Sequence, residues 1–549
     1  MLRGLQAFAG IKDPLDGENR DAQRLMALGT QYGSARTMEL ANLAEANKPT
    51  LRQFDNFGNR IDVIDYHDSY HALMTSTIEA GATVHGHNVS TPTAHVVRAG
   101  LLYMANQMEP GHCCPVTMTS AAVPVLQQAA GQHPFIQQLL GKVLSGRYDP
   151  ANLAVEQKRG ATIGMSMTER QGGSDVRSNM TTATQNARRG DGSFLLSGHK
   201  WFTSAPMSDG FLTLAKVDED TLPSCFLVPR WRPDGARNSG FIIMRLKDKL
   251  ADRANASSEV EYDGNCYSLP VGERGKGIKT ILQMVQLTRL DCCIGAAGSS
   301  RRALQVALGH TATREAFGSK LLQQPLMENL MAELCVEAEA HTLCALKLAR
   351  AYGDAFAAHT EAGAADAEEE QEIFRVGVAI MKYYSTKAQP QFVYECLESL
   401  GGNGFTENWP LAKLFRHSPL NSIWEGSGNV VALDVLRAAK SLPFLLKDVR
   451  KSRGMDSAVD RYFDTLVKDI KALESASSDD SQRYARNLVD RLAILMQSSV
   501  MMTHGQDAAA QHFNACRIKN ETGRNYGAVA VSSKKQAQTI INDFVPIFG

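Results

Sequence analysis

Glu425 stands in the run IWEGSGN, between Trp424 and Gly426. A carboxylate set against an apolar ring loses the water that stabilises its charge, which raises its proton affinity and suits it to general-base work near neutral pH. Upstream, GMSMTERQGGSDV (residues 164 to 176) combines small residues with the hydroxyls of Thr168 and Ser174. Such a segment lets backbone lie close to a planar ring and a diphosphate while hydroxyl and N–H groups donate to them. A third run, SGHKWFTSAP (residues 197 to 206), offers Phe202 to close one side of a flat redox ring and Thr203 or Ser204 as a donor at its hydride-accepting edge. Taken singly, these segments also read as a solvated surface carboxylate, a glycine-rich turn and a core strand.

Helices and strands must hold these groups. From about residue 20 to 150 the chain is rich in Ala, Leu, Met, Gln and Glu at helical spacing, as in Leu25 with Leu28 and Leu40 with Leu43. Between about 155 and 272 the texture changes to short alternating runs broken by Gly, Asn and Asp, such as FLTLAKV, SCFLVPR and SSEVEYDG. Helical spacing returns at GERGKGIKTILQMV and continues to the end, with amphipathic runs such as RYFDTLVKDIKALE after residue 440. One low-complexity stretch, HTEAGAADAEEEQE at 359 to 372, reads as a solvated loop between two bundle helices. The expected parts are a helical domain at 1–154, a β domain at 155–272, a helical bundle at 273–440 and a helical extension at 441–549. No GxGxxG follows a strand, which disfavours a Rossmann dehydrogenase.

Composition narrows the function classes. With 549 residues the chain is long enough for several packed domains around a large cofactor, and 58 basic against 58 acidic side chains give no global attraction to polyanions. The ten cysteines lack CxxC or zinc-ligand spacing, pointing to a reducing compartment. No run of about 18 apolar residues predicts a membrane span. The opening MLRGLQAFAGIK reads as an ordinary first helix, with an organelle-targeting role left open.

The ordered set TERQGGSDV, GHKWF, KLADRANASSEVEYDG, REAFG, GGNGF and IWEGSGN resembles the acyl-CoA dehydrogenase superfamily. HCCPVTMTSAAVPVL, RLKDKLADRANASSEVE and the long C-terminal segment resemble its AidB-like branch. This resemblance implies a mainly helical α+β fold: an N-terminal helical domain, a middle β-barrel or sandwich, a C-terminal four-helix bundle and an added helical extension. It implies FAD, contacted by Met165, Met167, Thr168, Gly173 and Ser174, and by Phe202, Thr203 and Ser204. Arg314, Phe317 and Gly318 of the RxxFG motif, with Gln324 after it, would reach the FAD of a neighbouring subunit in a homotetramer, a dimer of dimers. Gly401 and Gly402 would approach the adenosine part, and Trp424, Ser427 and Asn429 would flank the cofactor beside the base. The implied chemistry is α,β-dehydrogenation of an acyl-CoA: Glu425 takes the α-proton, the β-hydride goes to flavin N5, and electrons leave to a flavoprotein acceptor. The thioester carbonyl would be held by the Glu425 N–H and a ribityl hydroxyl, with Ser174 and Arg289 near the substrate; Arg289 reads equally as a bundle salt bridge.

The sequence also departs from the pattern. Glu398 replaces the family's usual Gln, Arg170-Gln171-Gly172 replaces Pro-Gly-Ala, Gln324 falls one position early, and Trp424 stands where Tyr is usual. A second reading within the AidB-like branch is a flavoprotein that binds duplex DNA and protects it from alkylation, through a basic surface on the extension. Residues 441 to 549 carry fifteen Lys and Arg against twelve Asp and Glu, alternating as on a solvated helix face, which disfavours a nucleic-acid role. A third reading is a flavin-bound scaffold with vestigial catalysis, against which the intact Glu425 stands.

Overall fold

The alternating runs after residue 155 form strands, as a half-buried period-two pattern requires. In a computed structural model that describes residues 1–13, 15, 18–357, 364–519, 526 and 531–545, the chain folds as two units. One unit is Met26–Val89 with Met108–Thr288; the other is Met1–Leu25 with Ser90–Gln107 and Arg289–Gly549.

The first unit is built on a seven-stranded sheet. Strand Gly210–Val217 pairs with Thr182–Gln185, which pairs with Phe194–Ser204, then Ser257–Val271, then Ser224–Pro229, which returns to Gly210–Val217. The ring is closed, so a barrel rather than an open sheet results and these strands have no unpaired long edge. Strand Ile163–Ser166 adds in parallel to Gly210–Val217, and Phe241–Leu246 adds antiparallel to Ser257–Val271. The barrel core holds Leu196, Phe211, Phe226, Phe241, Val260 and Tyr262, with Phe211 and Phe241 stacked at 5.0 Å.

A hairpin, Thr50–Phe54 with Arg60–Asp65, lies within the segment whose composition reads as wholly helical. LRQF and RIDVID each alternate, and Ile64 joins the barrel core. The turn is set by Asp55, whose carboxylate accepts from the N–H of Phe57 (2.8 Å) and of Asn59 (2.9 Å).

The second unit is helical. Pro325–Ala357 and Ala364–Glu398 are its longest complete members, and the extension helices Ser457–Glu474, Ser478–His504, Asp507–Arg517 and Lys534–Phe544 belong to the same unit. Residues 359 to 363 of the low-complexity stretch lie outside the described residues. From Ala364 onward that stretch is helix rather than loop, because Ala and Glu are strong helix formers. All ten cysteines are buried free thiols. Among the described residues no helix is long and apolar enough to cross a membrane.

Candidate active site

In the barrel unit the first two motifs turn out to be one construction. Glu169 of TERQGGSDV and Lys200 of GHKWF form a fully buried ion pair at 2.8 Å. The carboxylate also accepts from the Thr181 hydroxyl (2.6 Å) and the Met180 N–H (2.7 Å), and the ammonium donates to the Leu214 carbonyl (3.0 Å). Burial alone would raise the Glu169 carboxyl, but the Lys200 charge and these hydrogen bonds outweigh it and bring its pKa down to about 2. The Trp201 N–H bonds the Thr168 carbonyl at 2.7 Å, locking the two segments side by side.

That lock displays a polar, glycine-rich face. Met165, Met167 and Thr168 are partly exposed, and Gly173 and Ser174 are exposed. A Cβ on Gly173 would lie 2.4 Å from Thr168 Oγ1, so only glycine lets the chain fold over that hydroxyl. On the neighbouring strand Phe202 is 49% exposed. The two hydroxyls beside it differ: Ser204 is partly exposed and shares a hydrogen bond with Ser257 Oγ at 3.3 Å, whereas Thr203 is fully buried with its hydroxyl bonded to Ser166. An open glycine backbone, exposed hydroxyls and a half-exposed ring fit a planar cofactor with polar edges. Trp201 went unassigned in the sequence reading, yet Lys247 Nζ lies 3.5 Å from its ring centroid and 4.7 Å from that of Phe202.

In the helical unit the IWEGSGN motif lies in the loop between the helix Pro410–His417 and the helix Gly428–Arg437. Glu425 adopts φ +58°, left-handed backbone that a side chain disfavours, and Gly426 follows at φ +104°. A strained residue of this kind persists only where its surroundings fix it. Here the surroundings are cationic. Lys382 Nζ donates to the carbonyls of Trp424 (2.8 Å) and Gly426, and Arg289 Nε donates to the carbonyl of Glu425 at 3.0 Å. Asp434 ties Arg289 (2.6 Å) to Arg375 (2.8 Å). Arg289 is thus a bundle salt bridge, and it also holds the loop of the candidate base. Burial pushes the Lys382 ammonium down, Cys292 and Glu425 pull it back up, and Arg289 adds to the depression.

Glu425 and Trp424 are half-buried, and Trp424 Nε1 donates to Asn421 Oδ1 at 3.0 Å. Ser427 and Asn429 are exposed at the start of the helix that follows. Gly401, at φ +59°, and Gly402 are exposed at the end of Ala364–Glu398, and a Cβ on either would meet nothing within 4 Å. The RxxFG motif forms a separate hairpin in which Glu315–Ala316 pairs with Ser319–Lys320. Its two-residue turn, Phe317 at φ +54° and Gly318 at φ +81°, has the positive dihedrals of a primed turn. Phe317 is 96% exposed, and Gln324 reaches back to Ser319 Oγ and the Ala316 carbonyl (3.4 Å). Arg314 is exposed beside this turn. Sequence reasoning missed Lys382, Arg375 and Asp434, for which spacing gives no signal because they meet the loop only through tertiary packing.

Each unit thus carries one half of a candidate chemistry: the helical unit a half-buried carboxylate on a cation-held loop, the barrel unit a polar face that fits a planar cofactor. The comparisons with known proteins agree. The adaptive response protein AidB N-terminal domain matches residues 11–150, the acyl-CoA dehydrogenase middle domain residues 164–264, and the acyl-CoA dehydrogenase C-terminal domain residues 275–440. The chain is 37% identical over 531 residues to the "Putative acyl-CoA dehydrogenase AidB" of Escherichia coli (strain K12), covering 96% of this chain and 92% of that protein. Caenorhabditis elegans ACDH-11 in complex with C11-CoA superposes with TM-score 0.81 at 23% identity, over 98% of this chain and 93% of that one. An acyl-CoA dehydrogenase complexed with FAD from Bacillus anthracis gives TM-score 0.70 at 16% identity, over 98% and 92%. The chain belongs to the AidB branch of the acyl-CoA dehydrogenase superfamily.

Proposed function

We propose that this chain is an FAD-dependent acyl-CoA dehydrogenase that converts a saturated acyl-CoA to the trans-2-enoyl-CoA, with Glu425 as the base. The observation that carries this reading is the conformation of Glu425: a half-buried carboxylate at φ +58° on a loop whose carbonyls are tied back by Lys382 and Arg289. Strain of that kind is kept where a side chain must point one way.

Bound FAD supplies the acceptor for the β-hydrogen and its electron pair. This chain's residues do the rest. Met165, Met167, Thr168, Gly173 and Ser174, with Phe202 and Ser204, hold the flat ring and its polar edge, with Thr203 buried behind them on Ser166. Glu425 accepts the α-proton, and its backbone N–H donates to the thioester carbonyl as enolate charge develops there. Ser427 and Asn429 flank the diphosphate. Arg314, with the exposed Phe317 and Gly318, serves the FAD of a neighbouring subunit, Gly401 and Gly402 approach its adenosine part, and the assembly is a homotetramer that passes electrons to a flavoprotein acceptor.

The test is anaerobic mixing of the FAD-loaded protein with saturated acyl-CoA esters from short to long chain. Medium and long chains come first, since ACDH-11 was captured with C11-CoA. Bleaching of the oxidised flavin band by one chain-length class is expected. Glu425→Gln should retain FAD and lose at least about a thousandfold in rate, within the range for removing a positioned base. No bleaching by any ester would overturn the enzymatic reading.

A further inference from the structure

Lys382 lies in the middle of the helix Ala364–Glu398 with only 1% of its surface exposed. Burying an ammonium is expensive unless its donors are satisfied, and among the described residues it is in no ion pair. Its hydrogen bonds go instead to the carbonyls of Trp424 (2.8 Å) and Gly426, the two residues that flank the candidate base. The carbonyl between them, that of Glu425, is taken by Arg289 at 3.0 Å. Three consecutive carbonyls are thus turned toward one cationic patch. Arg375, two turns before Lys382 on the same helix, steadies that patch through Asp434.

The consequence follows from the planarity of the peptide bond. In a trans peptide the C=O of one residue and the N–H of the next point in opposite directions. Fixing the Trp424 carbonyl on Lys382 therefore aims the Glu425 N–H directly away from Lys382. The ammonium also polarises that amide, because a cation on its oxygen strengthens donation from its N–H. We propose that Lys382 is a positioning residue for the reaction: through the Trp424 peptide it orients and polarises the Glu425 N–H, the donor that stabilises the developing enolate. The inference rests on the dehydrogenase reading above and adds a function for a side chain that touches neither substrate nor cofactor.

The experiment compares wild type, Lys382→Met and Lys382→Arg, each loaded with FAD and checked for full flavin absorbance. An acyl-CoA analogue with sulfur in place of the β-carbon can lose its α-proton but cannot be oxidised. Its bound enolate, lying against an electron-poor ring, is followed by long-wavelength absorbance across a pH series. In Lys382→Met the pH midpoint for enolate formation should rise by about one unit or more, tenfold in the acidity of the bound analogue. With a true substrate kcat should fall about tenfold to a hundredfold and KM stay within about threefold. Lys382→Arg, which keeps the charge and two donors, should recover most of both. A Lys382→Met protein with FAD bound, a wild-type midpoint and a wild-type kcat would overturn the inference. Lys382→Gln, neutral but still a donor, carries the same prediction and decides the matter if the methionine variant does not fold. A wild-type protein that shows neither flavin bleaching nor an enolate band would overturn the dehydrogenase reading, and this inference with it.

Discussion

At Glu425 the chain accepts a backbone conformation that costs about 1–3 kcal/mol elsewhere. Its loop is held through backbone carbonyls by groups far away in sequence. Gly426 shows how little slack remains. At φ +104° a Cβ there would sit 3.1 Å from Val431 Cγ2 and 3.3 Å from the Arg289 guanidinium. Gly426→Ala should therefore displace Arg289, lower stability by about 1–3 kcal/mol in urea unfolding, and slow flavin reduction while FAD stays bound. Gly173 makes the complementary case on the barrel. Gly173→Val would drive a side chain into Thr168 Oγ1, and a weakened FAD affinity by equilibrium dialysis, with little change in thermal unfolding of the apoprotein, is the expected result.

At the scale of elements, the Glu169–Lys200 pair binds the segment that follows strand Ile163–Ser166 to the strand Phe194–Ser204. Lys200→Met would leave a buried carboxylate without its cation, a loss of about 3–5 kcal/mol, and the double variant with Glu169→Met should lose less than the sum of the single ones. The same pair sets an acid limit. Because the folded-state pKa of Glu169, about 2, lies below its ordinary 4.5, its contribution is present above pH 4.5 and disappears as pH falls toward 2. Wild type should lose stability across that window, and Glu169→Gln should show a flatter pH dependence in denaturant titrations. The RxxFG hairpin is an element with no apolar cover for Phe317. Gly318→Val, at φ +81°, should unfold that turn and, if the hairpin serves a neighbouring subunit as proposed, lower FAD occupancy more than it lowers the melting temperature.

At the scale of the whole molecule, the helical unit carries a cavity of about 1170 Å³ lined by residues of Ala364–Glu398 and of the extension, including Tyr383, Tyr462 and Tyr484. Two of its basic residues are held in ion pairs. Arg517 pairs with Glu333 (2.9 Å) and Glu337 (3.2 Å), and Arg491 with Asp469 (2.5 Å) and the Tyr484 hydroxyl (2.8 Å). An arginine neutralised in place releases few counterions from DNA. With 58 basic and 58 acidic side chains in balance, duplex binding by this chain should be weak and shallow in its salt dependence. A steep salt slope, equivalent to about six or more phosphate contacts, would instead favour the DNA-protecting reading. Light scattering of the FAD-loaded protein tests the homotetramer directly.

The candidate site residues were legible in the sequence because glycine, hydroxyl and carboxylate types recur there in short runs whose chemistry is local. Glu425, the glycine-rich segment and the strand beside it could be picked out for that reason, and so could the change from helical to alternating texture near residue 155. The hairpin at Thr50–Asp65 was lost in a helical composition because five or six alternating residues weigh little against the helices around them, and the helix from Ala364 was hidden behind its acidic polarity. The tertiary structure alone decided what sequence spacing has no means to encode. It paired Glu169 with Lys200, bonded the Thr203 hydroxyl to Ser166, and brought Lys382 and Arg289 to three successive carbonyls of one loop. Such contacts are set by how helices and strands pack, and a buried charge announces its partner only once the chain has closed around both.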